Sequence, residues 1–115
     1  ADLVAIQKAG LRLGISTHGC YEFLLAQQVK PSYLAIGAIF PTKTKNMSGQ
    51  IQGLKNLALT LNLAGDIPVV AIGGISLTRT PKVWNTGVSS IAVVTAITEA
   101  EEPEEVTKQF KELMK

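Results

Sequence analysis

The apolar positions of the chain follow two spacings, one typical of helices and the other of buried strands. Apolar residues recur every three or four positions in five segments, which predicts helices over residues 1–9, 21–28, 51–61, 78–85 and 106–114. Short apolar runs between these segments predict strands over residues 11–16, 33–40, 69–72 and 91–96. Gly10, Gly65 and Gly87 follow three of the predicted helices, and glycine commonly ends a helix because it adopts a positive φ.

The predicted order is one helix followed by four strand–helix units. Strands that alternate with helices form right-handed βαβ units and a parallel sheet, so the fold class is α/β. Two architectures fit this order, an open doubly wound sheet and part of a (β/α)₈ barrel. Functional groups in both collect where strands end and the loops to the helices begin.

Polar or small residues stand at the end of each predicted strand or directly after it. The four strand ends, in chain order, are Ser16-Thr17-His18, Pro41-Thr42-Lys43-Thr44-Lys45, Gly73-Gly74 and Val94-Thr95. The second is the most distinctive. The unbroken apolar run from Tyr33 to Phe40 stops at Pro41, and the next four residues carry two hydroxyl groups and two positive charges. That arrangement predicts an anion site, and the alternative is a solvated loop with ordinary lysines.

Each of the other ends also allows two interpretations. Gly73-Gly74 either brings backbone N–H groups close to an anion or makes a plain tight turn. Ser16 and Thr17 either donate hydrogen bonds to phosphate oxygens or cap the next helix. His18, the single histidine, is either an acid or base near neutral pH or a structural residue. No carboxylate pair accompanies these strand ends, so no metal ligand is assigned.

Composition restricts the class of protein further. The 115 residues, with 46% hydrophobic content and a mean hydropathy of +0.24, predict one globular domain. The net charge of +2 is small and the 11 basic residues are scattered, which does not indicate nucleic-acid binding. A single cysteine fits a reducing compartment. No apolar run approaches the roughly 20 residues of a membrane span and no leader is visible, so we expect a cytoplasmic protein without membrane partners.

Four segments together carry a resemblance to a known family. GISTHG, IGAIFPTKTK, VVAIGGIS and IAVVTAI occur in this order, and the chain resembles the thiamine-phosphate synthase (thiamine-phosphate pyrophosphorylase) family. The resemblance implies a (β/α)₈ TIM barrel. It also implies that residues 1–115 are the C-terminal half, strands five to eight, which is a half-barrel of four parallel strands alternating with helices.

The resemblance implies a transferase of thiamine biosynthesis. The family condenses 4-amino-2-methyl-5-(diphosphooxymethyl)pyrimidine with thiazole phosphate and releases pyrophosphate. The residues implied to bind the thiazole phosphate are Thr42, Lys43, Thr44, Gly74, Val94 and Thr95. Ser16 and Lys45 are implied to bind the pyrimidine diphosphate and to act catalytically, as donors that stabilise the leaving pyrophosphate.

The resemblance also implies a cofactor and partners. Mg²⁺ is expected, with its ligands in the missing N-terminal half, so the isolated chain is expected to be inactive. Because a half-barrel exposes two sheet edges, we expect it to pair with that half or with a second copy of the chain. Two alternatives stay open: a thiazole tautomerase-like isomerase that uses His18, and a non-catalytic phosphate-binding half-domain.

Overall fold

A computed structural model of the chain describes residues 3–41 and 51–115. Its elements in chain order are α1 (Leu3–Lys8), β1 (Gly14–Thr17), α2 (Cys20–Gln27), β2 (Tyr33–Ile36), α3 (Gly53–Ala64), β3 (Val69–Ile72), α4 (Thr80–Trp84), β4 (Ser90–Ala92), α5 (Thr95–Thr98) and α6 (Pro103–Leu113). In the described ranges, no helix combines the length and the apolar character that crossing a membrane requires. The predicted loop Thr42–Lys45 lies outside the described residues.

The four described strands form one parallel sheet in the order β1-β2-β3-β4. Each strand pairs with the next along the chain. Ala35 of β2, for example, lies between Ser16 of β1 and Val70 of β3. Val70 in turn pairs with Ser90 of β4. The predicted parallel βα succession is therefore confirmed.

The helices cover one face of this sheet. Because side chains alternate along a strand, Leu34, Ile36, Val69 and Ala71 share a face, and all are buried with helix residues such as Leu57. On the opposite face Tyr33 and Ile72 remain 44% and 36% exposed. A doubly wound sheet carries helices on both faces, whereas a barrel carries them only outside. The described residues therefore form a half-barrel, with Tyr33 and Ile72 on its inner face.

The prediction of a strand over residues 33–40 was wrong in its second half. β2 ends at Ile36, although Ala38 and Ile39 are buried. The backbone N–H groups of Ile39 and Phe40 donate to the carbonyls of Ile72 and Gly73 at 3.1 and 3.0 Å, across the loop that follows β3. The second half of the apolar run is therefore buried because the loop after β2 packs against the loop after β3. The hydrophobic pattern alone does not distinguish this kind of burial from burial in a strand.

The prediction of a strand over residues 91–96 also needs correction. β4 spans Ser90–Ala92, and Thr95 begins the four-residue helix α5. The N–H of Thr98 donates to the carbonyl of Val94 at 2.9 Å, and this bond closes the helical turn. A helix of one turn is too short to produce a visible period of 3.6 residues.

Candidate functional site

The ends of all four described strands surround one cavity of about 220 Å³. The predicted site residues that line it are Ser16, Gly74, Val94 and Thr95, together with His18. They converge because parallel strands in register place their carboxyl ends along one rim. Thr42, Lys43, Thr44 and Lys45 lie outside the described residues, so their position relative to the cavity stays a prediction.

Small residues make the space in the cavity. Ala35 and Ala92 point to the inner face of the sheet, and Gly37 follows β2 directly. A Cβ on Gly37 would lie 2.6 Å from the carbonyl oxygen of Ile72, so no larger residue fits there without a shift. The floor of the site therefore consists of methyl groups and backbone, which leaves polar contacts to the rim.

Gly73 and Gly74 bring the loop after β3 into backbone contact with the loop after β2. Both have positive φ, +105° and +66°, which strains any other residue. A Cβ on Gly74 would lie 2.4 Å from the carbonyl oxygen of Pro41, and one on Gly73 would lie 2.6 Å from the Cβ of Ala38. The two glycines are thus more than a plain turn, because they let two loops of the rim interlock.

Ser16 and Thr17 have different environments. Thr17 is 1% exposed, and its hydroxyl donates to the carbonyl of Ala35 at 2.9 Å. Ser16 is exposed and lines the cavity. Neither residue caps α2, since the residue before that helix is Gly19 and no side chain caps it. Of the two, Ser16 therefore keeps a hydroxyl available to a ligand, and Thr17 is structural.

His18 lies at the rim beside a carboxylate. Its Nδ1 is 3.3 Å from Oε1 of Glu22, one turn along α2, and both side chains are about half exposed. The contact orients the imidazole and leaves Nε2 as the second nitrogen for another partner. This geometry allows proton transfer at the rim, although a half-exposed pair is also common on helix surfaces.

Gln52 contributes to the site although the sequence patterns did not single it out. It is 6% exposed, and its Nε2 donates to the carbonyl of His18 at 2.8 Å. Its backbone N–H donates to the carbonyl of Ala38 at 2.7 Å, and the next residue, Gly53, bonds Ile39 in the same way. Gln52 therefore ties the start of α3 to the loops after β1 and β2. The sequence signal that could have identified Gln52 is a polar residue next to a glycine at the start of a helix.

The described residues form no cluster of three metal-ligating side chains. Within ranges 3–41 and 51–115, no three histidine, cysteine or acidic side chains lie close enough together to hold a metal ion. Mg²⁺ is usually bound through one or two carboxylates together with substrate phosphates, and the carboxylate near the rim, Glu22, contacts His18. These ranges therefore hold no cage for Mg²⁺ built from protein ligands alone.

Comparison with known proteins identifies close relatives. A model of the thiamine monophosphate synthase family matches residues 1–97. Thiamine-phosphate synthase of Yersinia pestis (strain Pestoides F) is 53% identical over 114 residues, which are 99% of this chain and 53% of that protein. The Citrobacter koseri enzyme of the same name is 56% identical over 109 residues, which are 95% of this chain and 52% of that protein. The chain thus spans about half the length of these curated relatives.

The fold agrees with a solved structure. Thiamine phosphate pyrophosphorylase from Pyrococcus furiosus superposes with a TM-score of 0.84 at 34% sequence identity. The match covers 97% of this chain and 53% of that one. The match covers about half of the relative, which agrees with a half-barrel whose helices lie on one face of the sheet.

Proposed function

This chain belongs to the thiamine monophosphate synthase family, and we propose that it forms the phosphate-binding half of a thiamine-phosphate synthase. The reaction joins 4-amino-2-methyl-5-(diphosphooxymethyl)pyrimidine to thiazole phosphate and releases pyrophosphate. The observation that carries the proposal is that Ser16, Gly74, Val94 and Thr95 line a single cavity at the carboxyl ends of the strands. Phosphorylated substrates bind at this end of a (β/α)₈ barrel, where the last two loops commonly cradle the phosphate.

The cradle for the thiazole phosphate consists mainly of backbone donors. Gly74 can approach an anion closely because it has no side chain, and the first N–H groups of α5, at Thr95 and Ala96, have no carbonyl partner inside the helix. Thr42, Lys43 and Thr44 complete the cradle from the loop after β2. Backbone N–H groups suit a phosphate because neighbouring N–H groups in a turn form a concave site of positive partial charge.

Ser16 and Lys45 act on the pyrimidine diphosphate. The bond between the pyrimidine methylene and the bridging oxygen breaks, and its electron pair leaves with the pyrophosphate. The lone pair of the thiazole nitrogen then forms the new carbon–nitrogen bond. The hydroxyl of Ser16 and the ammonium of Lys45 stabilise the charge that grows on the leaving group, so donors matter more here than a general base.

The other half of the active site comes from a partner. We propose that the Mg²⁺ ligands lie in an N-terminal half-barrel, because the described residues contain no cluster of three metal-ligating side chains. β1 and β4 are the edges of the described sheet and its inner face is open, so that half, or a second copy, would cover both. The isolated chain then binds phosphate without measurable turnover.

A complementation assay tests this function. We expect the 115-residue chain, mixed with the remaining half of the Yersinia pestis relative, Mg²⁺ and both substrates, to release pyrophosphate and form thiamine phosphate. Ser16→Ala lowers kcat about a hundredfold in that mixture, since it removes a donor to the leaving group. Lys55→Ala, on the outer helix α3, is the matched control and leaves the rate unchanged.

Two results contradict the proposal in different ways. Thiamine phosphate formation by the isolated chain would show that the missing half is not required. A folded complex of the two halves that binds phosphate but releases no pyrophosphate would favour the non-catalytic alternative, a phosphate-binding half-domain.

A second candidate function is a thiazole tautomerase-like isomerase. The contact of His18 Nδ1 with Glu22 at the rim of the cavity favours it, since an oriented imidazole can move a proton on a bound thiazole. It predicts isomerisation of a thiazole carboxylate phosphate that His18→Ala abolishes. The hydroxyls and cations of Thr42–Lys45 favour the synthase, which needs to stabilise a leaving pyrophosphate.

A further inference from the structure

We propose that Arg79 is a positioning residue of the phosphate cradle, which holds the Gly74–Ile75 peptide so that its N–H faces the bound phosphate. The inference rests on the proposed function and adds a residue that lies outside the cavity wall. Arg79 directly precedes α4, and its side chain is exposed. It has two contacts that an ordinary surface arginine lacks.

The first contact fixes a carbonyl of the rim. Nη1 of Arg79 donates to the carbonyl oxygen of Gly74 at 2.7 Å, and a guanidinium donor makes this bond stronger than one between neutral groups. Gly74 has a positive φ and no side chain, so the bond to Arg79 adds a restraint on the following peptide to the one that contact with the loop after β2 already provides. The arginine therefore helps to hold one of the orientations that this glycine permits.

The orientation of that carbonyl determines where the next N–H points. In a planar trans peptide, the C=O of Gly74 and the N–H of Ile75 point in opposite directions. Arg79 holds the carbonyl oxygen of Gly74, so the N–H of Ile75 points away from Arg79, and both Gly74 and Ile75 line the cavity. Ile75 is 4% exposed, and its N–H donates to no group in the part of the chain that the structure describes. An N–H group without a protein acceptor at the wall of the cavity is free to donate to a bound anion.

The second contact extends the effect to the loop after β2. The Cζ atom of Arg79 lies 4.5 Å from the centroid of the Phe40 ring, in a cation–π arrangement. Phe40 is bonded to Gly73 through its N–H at 3.0 Å. A single side chain thus contacts both the loop after β2, at Phe40, and the loop after β3, at Gly74. Arg79 therefore ties the Gly74 peptide to a second described loop of the rim.

The test compares two variants that each remove one positive charge from the same region with a third variant that keeps the charge and changes its shape. Arg79→Ala, Arg79→Lys and Lys82→Ala are titrated with inorganic phosphate in the 115-residue chain, with the amide signal of Ile75 followed by NMR. Lys82 is an exposed cation on α4 and serves as the control for charge alone. We expect Arg79→Ala to weaken phosphate binding about tenfold. Arg79→Lys recovers part of it, because an ammonium retains a donor but loses the planar contact with Phe40.

A second measurement does not depend on binding. In the absence of phosphate, Arg79→Ala shifts the Ile75 amide signal and speeds hydrogen exchange of the Phe40 amide, whereas Lys82→Ala does neither. Thermal unfolding identifies any variant whose loss of binding reflects loss of structure.

The outcomes separate this inference from the proposed function. Wild-type chain that binds no phosphate rejects the cradle and this role of Arg79 together. Wild-type binding that Arg79→Ala and Lys82→Ala weaken equally means that Arg79 acts through charge, and the inference is wrong. An Ile75 amide that does not move in phosphate-bound wild type also overturns it.

Discussion

Nε2 of Gln52 donates to the carbonyl oxygen of His18 at 2.8 Å, which joins the beginning of α3 to the loop after β1. The bond is partly buried, Gln52 itself is 6% exposed, and the two residues are 34 positions apart in the sequence. It matters for the site because Ser16 lies two residues before His18, on the same rim. The position of the Ser16 hydroxyl therefore depends on a residue of another βα unit.

Replacement of Gln52 tests this dependence. Gln52→Leu leaves the His18 carbonyl without its donor, and we expect a loss of about 1–3 kcal/mol in the free energy of unfolding. Gln27→Leu is the control, since Gln27 Nε2 makes an equivalent bond to the carbonyl of Leu63 at 2.7 Å in a more exposed position. Water replaces the lost donor there, so the control costs less. Urea denaturation measures both, and equal losses would contradict the structural role of Gln52.

Gly74 and Gly87 provide a test of the interlocked loops. Both have positive φ, +66° and +100°, but a Cβ on Gly87 meets nothing within 4 Å while one on Gly74 lies 2.4 Å from the Pro41 carbonyl. Gly87→Ala is expected to cost about 1–2 kcal/mol from backbone strain alone. Gly74→Ala adds a steric clash, so it unfolds at a lower urea concentration and loses phosphate binding. Equal stability of the two variants would show that the loops are not in backbone contact.

The open inner face of the sheet leads to a prediction about assembly. Tyr33 is 44% exposed on this face, at the end of β2 away from the cavity, and its ring lies over Gly14. Tyr33→Lys places a charge on the face that we propose the other half-barrel covers, which we expect to weaken assembly about a hundredfold or more. Leu59→Lys puts the same charge on the outer helix α3, where Leu59 is 50% exposed, and leaves assembly intact. Sedimentation of the mixed halves measures this, and unchanged assembly of Tyr33→Lys would exclude the inner face as the interface.

Thr17 offers a test of a buried bond between neighbouring strands. Its hydroxyl donates to the carbonyl of Ala35 at 2.9 Å, and the residue is 1% exposed. Thr17→Val keeps the shape and removes the donor, so we expect a loss of about 1–2 kcal/mol in unfolding free energy. Thr17→Ser keeps the donor and removes one methyl group. If thermal unfolding finds the serine variant less stable than the valine variant, packing rather than the hydroxyl fixes this strand end.

Local pattern predicted much of the site because strand ends are marked in the sequence. Ser16, Gly74 and Val94 were identified as residues at or directly after the ends of apolar runs, and parallel pairing was enough to bring them to one rim. The same pattern failed at Phe40, because burial between two loops and burial in a strand select the same apolar residues. Neither Gln52 nor Arg79 was predicted, since their partners lie in other loops and no local spacing indicates them.

The sequence by itself determined the alternation of strands and helices, the parallel order of the sheet and the small and polar residues at the strand ends. These follow from the helical period of 3.6 residues, from short apolar runs and from turn residues, all of which are signals within a few positions. Only the tertiary structure decided which face of the sheet the helices cover, where β2 ends, and which side chains hold the rim together. Those features depend on contacts such as that of Arg79 with Phe40, which lie far apart in the chain and become adjacent when it folds.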